Sequence, residues 1–263
     1  MRVLARAVLG VVLLPGLAGG GIWGGARTAD VQDAVQANVQ AAAREAAVAA
    51  VGGEGPRAAA GGPATVTYEF ERPGLAVPRF RMLVREDGTG RYDAEEVPAE
   101  GVGARAVGNG LAQVSRPISL RPATTARIFK AARMERNFTK ICASKLKNIA
   151  DTGEKTLSYE GADGRGSCRY NYTENKNIAM LTDLFLGIAL TLDEGRKLEF
   201  KRRYDRLGLD AELDVLTQSN DSGRALELGT IDGLLRELAG DTEMMQRVRL
   251  RAAKLLDRAG DGR

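Results

Sequence analysis

"TVTYEFERPGLAVPRFRMLVREDGTGRYDAEEV" (residues 65–97) is the stretch that decides the fold. In its first block, TVTYEFE, the apolar residues Val66, Tyr68 and Phe70 alternate with polar ones. The blocks RFRMLVRE and TGRYDAEEV alternate in the same way, and Asp87-Gly88 between them is typical of a hairpin turn. Because a period of two puts the apolar side chains on one face of a strand, the stretch predicts antiparallel strands with one buried face.

The chain beyond these strands predicts a helix, a second hairpin and a helical bundle. Pro122 suits the first turn of a helix, and the blocks EKTLSYEG (154–161) and SCRYNYT (167–173) alternate as two further strands. From Glu174 onward, apolar residues recur at steps of three and four, which is typical of a helix; they are Ile178, Leu181, Phe185, Ile188 and Leu192. The predicted class is α+β, with an antiparallel sheet of two hairpin units around a helix, followed by a C-terminal helical bundle.

Punctuating residues refine this outline. Irregularly spaced glycines predict a loop over residues 99–114. Gly208 is expected to end or kink the long helix, while Asp210 and Asp241 are expected to cap the helices that follow them. The block GRALELGTIDGLLRELA (223–239) is predicted to be helical.

The start of the sequence is typical of an exported protein. Two arginines precede the apolar run AVLGVVLL, and small residues follow it, which predicts a signal peptide. An uncleaved membrane anchor is the alternative, but the run is short for a span of about 20 residues. No later segment is apolar enough to cross a membrane, so a periplasmic or secreted protein is expected. The predicted organisation is a signal peptide over 1–18 with cleavage as late as 26, an Ala/Gly-rich lead-in and linker over 19–63, and a single α+β domain over 64–260, with a sheet-and-helix part over 64–173 and a helical part over 174–260.

Composition excludes several kinds of chemistry. The chain has no histidine, which excludes Ser-His-Asp and Cys-His catalytic sites and histidine-ligated metals. Its 2 cysteines are too few for a four-thiolate zinc site. We therefore expect no metal, no cofactor and no recognisable catalytic residue. The balance of 38 basic and 34 acidic residues gives no reason to expect a nucleic-acid partner.

The two cysteines are expected to be bonded to each other. In an oxidising compartment, Cys142 and Cys168 would form a structural disulfide. A pair of free buried thiols is the alternative. A redox role has no support, because the sequence contains no Cys-x-x-Cys motif.

Asp151-Thr152-Gly153 has the form of the aspartic-protease tripeptide. Such enzymes need two aspartates that share a proton. The chain contains no second copy, and Glu154 stands where a small residue is usual, so only a symmetric dimer would complete the site. The sequence favours a turn that leads into the strand EKTLSYEG.

A basic run supplies one set of candidate surface contacts. Acidic residues are interleaved with it, and the spacing predicts the ion pairs Asp193–Lys197 and Glu199–Arg203. A solvated, self-paired helix face is the favoured interpretation, and a site for anionic polysaccharide or lipid headgroups is the alternative. The candidate contacts are Arg196, Lys197, Lys201 and Arg203.

Tyrosines supply the other candidate contacts, Tyr170 and Tyr172. With Tyr68 and Tyr159 they would line a surface on which a carbohydrate stacks. At alternating strand positions, however, tyrosines are more often half-buried residues of the sheet.

The stretch from Cys142 to Leu256 carries a resemblance. DTGEKTLSYEG, GSCRYNYTENKNI, TLDEGRKLEFKRRYDRLGLDAEL and DTEMMQRVRLRAAKLL resemble a group of uncharacterised secreted bacterial proteins. These share the cysteine pair, the tyrosine-rich hairpin and the RYDRLGLD segment. The resemblance implies a folded domain, but it implies no activity and no site residue.

The leading functional hypothesis is an exported, non-enzymatic binding or structural protein of the cell envelope or extracellular space. An envelope protein or a polysaccharide is the candidate partner. The alternative is a hydrolase that uses Asp or Glu carboxylates, for which a cleft with two carboxylates of raised pKa would be evidence. A third hypothesis is a homo-oligomer that associates through the face of residues 178–192.

Overall fold

A computed structural model describes residues 62–97 and 111–260 of the chain. The predicted signal peptide and nearly all of the predicted lead-in lie outside these residues. The described residues fold into an antiparallel six-stranded sheet and a set of helices, which confirms the predicted α+β class.

The two predicted hairpin units join in a single sheet. The strand order is β4-β3-β2-β1-β5-β6, and every neighbouring pair is antiparallel. The central strand pairs on both sides, with Tyr68 opposite Met82 on one side and opposite Leu157 on the other. The strands are β1 (Thr65–Glu71), β2 (Arg79–Arg85), β3 (Thr89–Glu96), β4 (Ala112–Ser119), β5 (Glu154–Gly161) and β6 (Gly164–Tyr170).

Helices cover one face of this sheet and continue beyond it. The longest, α2, has 29 residues and begins at an Asn175 cap whose side chain accepts the backbone N–H groups of Asn177 and Ile178. The helices are α1 (Pro122–Met134), α2 (Lys176–Tyr204), α3 (Leu209–Asp221), α4 (Asp232–Gly240) and α5 (Gln246–Gly260). Short 3₁₀ turns lie at Arg136–Phe138, Arg206–Gly208 and Leu228–Ile231.

The core lies between the apolar face of the sheet and α1 and α2. Tyr68 of β1 stacks on Phe185 of α2, with ring centroids 4.9 Å apart. The whole apolar seam predicted from the sequence over 178–192 is buried in this core. The seam is therefore buried within the chain and is not available to a second copy, while homo-oligomerisation itself stays a prediction.

The opposite face of the sheet is polar and self-paired. Arg79 contacts Glu71 at 2.8 Å, and Arg81 contacts Glu69 at 3.4 Å, each across the β1–β2 pair. No exposed large apolar side chain belongs to the six strands. This face is consequently a hydrated layer of cross-strand ion pairs rather than a platform for stacking sugars.

Several local predictions differ from the structure. β4 begins at Ala112, inside the predicted loop, because residues from Ala112 onward continue the ladder with β3. α3 begins at Leu209, so Asp210 lies in its first turn and Gly208 occupies the cap position. The Asp241 side chain accepts the Glu243 N–H before α5 begins, and so it orders the approach to that helix.

The block predicted as one helix over 223–239 is helical only from Asp232 onward. Residues Leu228–Ile231 form a 3₁₀ turn, and Glu227 before them has φ +57°, in the left-handed region. A left-handed residue interrupts the helical path, so the apolar periodicity of this block continues across a bend.

Candidate interaction surface

Asp151-Thr152-Gly153 forms a local turn immediately before β5. The exposed Asp151 carboxylate accepts the Gly153 N–H at 2.9 Å. Gly153 has φ +89°, and a Cβ at this position would lie 2.7 Å from the Phe70 ring. The tripeptide thus makes the side-chain-to-backbone bond typical of an Asx turn. Asp151 therefore stabilises the backbone of this turn by accepting the Gly153 N–H.

The buried ammonium of Lys155 holds the same turn from inside. Its Nζ donates to the Thr152 carbonyl at 3.0 Å, to the Thr152 hydroxyl at 2.9 Å, and to the Gly153 and Asn171 carbonyls at 2.7 and 2.8 Å. Burial lowers the pKa of Lys155. Because its N–H donors are all engaged by these oxygens, Lys155 is a structural cation.

The predicted basic contacts on α2 are largely paired with acids. Arg196 lies 3.2 Å from Glu96 and 2.7 Å from Asp193. Lys197 lies 2.9 Å from Asp193, which is the ion pair that the spacing predicts. Burial raises the pKa of Glu96, and the Arg196 guanidinium opposes this effect. These residues belong to a partly buried ionic network and are poorly placed to bind a partner.

The end of the basic run is only partly free. Lys201 lies within 3.6 Å of two carboxylates. The predicted Glu199–Arg203 pair is absent, because Glu199 receives both terminal nitrogens of Arg116 at 2.8 Å. The Arg203 guanidinium instead lies above the Tyr204 ring, 6.0 Å from the ring centroid.

The tyrosines predicted as a stacking surface divide between core and surface. Tyr68, Tyr159 and Tyr170 are buried, and the Tyr170 hydroxyl is 2.7 Å from that of Thr182. The prediction that Tyr170 is a surface contact is therefore wrong, because this position of β6 faces the core. Tyr172 lies just beyond the end of β6 and is exposed.

Two neighbouring carboxylates, Glu194 on α2 and Glu212 on α3, bear on the hydrolase hypothesis. Burial raises the pKa of Glu194, and the negative charge of the nearby Glu212 carboxylate raises it further. Lys197 donates to Oε1 of Glu194 at 2.8 Å, while Oε2 has no hydrogen-bond partner. The Glu194 side chain is only 4% exposed, and neither carboxylate lines the pockets on the sheet or the pocket beside α1. The Glu194 carboxylate is therefore buried, while Glu212 is partly exposed.

The ranges 62–97 and 111–260 offer no support for metal binding or for a membrane span. They contain no group of three or more Cys, Asp or Glu side chains placed to hold a metal ion. None of the helices in these ranges combines the length and apolarity needed to span a bilayer.

The chain between α1 and β5 follows the outer edge of the sheet, and we call residues 136–150 the edge segment. β6 is the last strand of the sheet. The edge segment is fixed to it by the predicted disulfide between Cys142 and Cys168, whose Cα atoms are 5.8 Å apart. Two residues later, the Ser144 N–H donates to the Tyr172 carbonyl at 2.9 Å. The segment thus covers an edge strand that would otherwise present unpaired backbone groups.

The edge segment begins with a left-handed turn. Arg136, Asn137 and Phe138 have φ values of 52°, 56° and 63°, and the Phe138 side chain is fully buried. Left-handed backbone at residues other than glycine costs about 1 kcal/mol or more per residue. The turn also brings the Asn137 carbonyl so close to Gly166 that a Cβ there would lie 2.1 Å from the oxygen. Packing therefore holds this segment in one strained position against β6.

Four exposed cations occupy the edge segment. The segment contains no Asp or Glu, and its basic residues Arg136, Lys140, Lys145 and Lys147 are all exposed. None of the four forms an ion pair with any residue that the structure describes. The Glu174 carboxylate contacts the segment at Ser144, whose hydroxyl donates to it at 2.8 Å. This density of unpaired positive charge contrasts with the paired cations of α2.

Large apolar side chains are exposed at the same edge. Ile141 is 85% exposed and Leu146 is 61% exposed, both within the edge segment. Tyr172, which is bonded to the segment through its carbonyl, and Met134, at the end of α1, are exposed as well. Apolar side chains grouped among charges are typical of an interaction site.

The favoured interpretation of the basic run, a self-paired helix face, agrees with the ion pairs of Arg196, Lys197 and Lys201. In 196–206 each cation has an acid within one or two helical turns. The signal that identifies the edge segment is the opposite one, a run of 15 residues with four cations and no acid between α1 and β5. The cations of this run have no acid within the segment to pair with.

No model of a known protein family matches the chain, and a search of curated proteins also finds no match. The resemblance to secreted bacterial proteins stays a prediction, and the function has to be argued from the surface itself.

Proposed function

We propose that this chain is an exported, non-enzymatic binding or structural protein of the cell envelope or extracellular space, and that the edge segment is its contact surface. The observation that carries the proposal is the combination of four unpaired cations with exposed Ile141 and Leu146 on a segment tied to β6. Exposed aliphatic side chains among unpaired charges favour binding to a partner.

Export is supported by the disulfide. A structural disulfide persists in oxidising compartments and is rare in a reducing cytoplasm. The Cys142–Cys168 bond also fixes the edge segment, so the proposed contact surface depends on the same chemistry. The basic and apolar start of the sequence is a second, independent argument for export.

Within residues 62–97 and 111–260, the burial of Glu194 supports a non-enzymatic role. Among the described residues, the candidate for a hydrolase is Glu194, whose pKa is raised by burial and by the neighbouring Glu212. Glu194 is buried and already hydrogen-bonded to Lys197. The pair is therefore better explained as part of the contact between α2 and α3.

Export is tested with the full chain, expressed with its own N-terminus in a bacterial host. Free thiols are alkylated in intact cells, the cells are fractionated, and labelling is repeated after reduction. We expect the protein in the periplasm or medium, with both cysteines unlabelled until reductant is added. Cys142→Ser is the control, because it leaves Cys168 free to react. A cytoplasmic protein with two reactive thiols would contradict the proposal.

A further inference from the structure

We infer that the edge segment docks onto an anionic lipid surface, with its cations at the headgroups and Ile141 and Leu146 at the boundary of the acyl chains. The inference rests on the proposed location outside the cytoplasm, and it adds the chemistry of the partner.

Charge complementarity requires an anionic partner. The four cations of the edge segment have no acidic partner among the described residues, while Arg196, Lys197 and Lys201 all do. A lysine or arginine close to an anionic membrane contributes about fivefold to the partition coefficient. Four such residues therefore favour a surface of high negative charge density.

The apolar side chains favour lipid over other polyanions. Ile141 and Leu146 are aliphatic and exposed, and they alternate in sequence with Lys140, Lys145 and Lys147. A polysaccharide chain offers charge but no apolar phase for aliphatic side chains. Interfacial binding uses both terms, burial of apolar area and attraction to anionic headgroups.

Tyr172 adds a third feature of the same kind. Its ring is exposed beside the edge segment, to which its carbonyl is bonded through Ser144. Tyrosine is enriched at the membrane–water boundary, because one end of the ring is apolar and the other is wet. An exposed tyrosine beside the edge segment is therefore consistent with interfacial binding.

Protection of the edge strand accounts for the lysines but not for the aliphatic residues. Lysine at a sheet edge opposes pairing with a second sheet. Exposed Ile141 and Leu146 would promote such association, so they are unexpected if protection is the only role. The disulfide and the left-handed turn also hold the segment in place, which lowers the conformational entropy lost on docking.

Vesicle sedimentation tests the inference on the oxidised full chain. The vesicles contain phosphatidylcholine with about a third phosphatidylglycerol, and pure phosphatidylcholine vesicles serve as the neutral reference. We expect binding to the anionic vesicles that weakens with added salt. Because the N-terminal residues are identical in every variant, only differences between variants are interpreted.

Two variants of the edge segment separate the contribution of charge to vesicle binding from the contribution of the apolar side chains. Replacing Lys140, Lys145 and Lys147 by Gln is expected to lower the partition coefficient about hundredfold. Replacing Ile141 and Leu146 by Ser is expected to lower it at least tenfold. The lysine-to-arginine version of the first variant keeps the charge and should retain binding. Matched controls are Lys254→Gln on α5 and Leu207→Ser after α2, both exposed, and neither should change it.

Three results would overturn the inference. One is equal vesicle binding by the wild type and the lysine-to-glutamine variant. Another is equal binding to neutral and anionic vesicles. The last is binding to a soluble acidic polysaccharide that is lost with the lysines but unchanged by the Ile141 and Leu146 substitutions, which would identify a polysaccharide partner. If the proposed function itself is wrong, the result is different: the protein is found in the cytoplasm with free thiols.

Discussion

Glu194 has the least favourable surroundings for a charge among the carboxylates on α2. It is buried, its Oε2 has no hydrogen-bond partner, and the Glu212 carboxylate lies nearby. A buried acceptor without a donor costs about 1–3 kcal/mol. Because the pKa of Glu194 is raised in the folded state, the free energy of unfolding is expected to depend on pH.

We predict that Glu194→Gln raises the free energy of unfolding at neutral pH by about 1 kcal/mol. The amide removes the buried charge and supplies a donor for Glu212, while Lys197 keeps Asp193 at 2.9 Å. Urea titrations at several pH values provide the measurement.

The sign of the pH dependence follows from the raised pKa. In the wild type, the folded state holds a proton that the unfolded state releases above the ordinary pKa of 4.5. The free energy of unfolding therefore falls as the pH rises from that value through the raised pKa of the folded state. The advantage of Glu194→Gln should grow over the same interval, and an advantage independent of pH would contradict the assignment.

Asp151 should tolerate substitution by Asn. The Asn side chain retains an oxygen that can accept the Gly153 N–H, so the turn keeps its hydrogen bond. We predict a change in the free energy of unfolding within about 0.5 kcal/mol. Asp151→Asn should also leave any peptide hydrolysis at acid pH unchanged. An acid-dependent peptidase activity that disappears in this variant would revive the protease hypothesis.

At the scale of elements, alternation and turn chemistry predicted the sheet well. β5 has the predicted bounds, because Asp151-Thr152-Gly153 ends the loop before it and Gly161 pairs with Gly164 after it. The union of both hairpins in one sheet was not predictable from the same evidence. It depends on pairing between β1 and β5, which are separated by about 80 residues and carry no local signal of their contact.

The contact surface was the least predictable element. Exposure of Ile141 and Leu146 depends on the path of the edge segment beside β6, and apolar residues in a sequence are ordinarily assigned to the core. The left-handed turn at 136–138 contains no glycine, so the sequence gives no sign of it. Only the run of cations without acids was visible in advance.

We predict that replacing Cys142 and Cys168 by Ser lowers the free energy of unfolding by about 3–4 kcal/mol. The disulfide closes a loop with a sequence separation of 26. Release of the edge segment should also expose the edge of β6 and promote self-association. Denaturant titration and light scattering of this variant, against the oxidised and reduced wild type, provide the measurements. Equal stability of oxidised and reduced wild type would contradict a structural role for the bond.

At the scale of the molecule, Glu227 joins the helical part to the sheet part. Its buried carboxylate accepts the Arg121 backbone N–H at 3.0 Å and the Arg121 Nε–H at 2.8 Å, and it contacts the Thr124 hydroxyl. The capping residue of α1, Arg121, has no side-chain cap of its own. Glu227 therefore caps α1 from a position 106 residues further along the chain.

Removing this link should lower the stability of both parts together. We predict that Glu227→Ala lowers the free energy of unfolding by about 2–3 kcal/mol, because the α1 start loses its acceptor. Circular dichroism and tyrosine fluorescence should report one coincident transition. Glu160→Ala, at an exposed strand position, is the control and should have little effect. Two separated transitions would show that the parts unfold independently.

The central claim is that the edge segment binds a component of the cell envelope. Its most direct test is the sedimentation of the oxidised chain with isolated bacterial envelopes, for the wild type and for the variant in which Lys140, Lys145 and Lys147 are Gln. The account predicts that the wild type sediments and is released by salt, while the variant stays in the supernatant. Equal sedimentation of the two proteins, or no sedimentation of either, would contradict it.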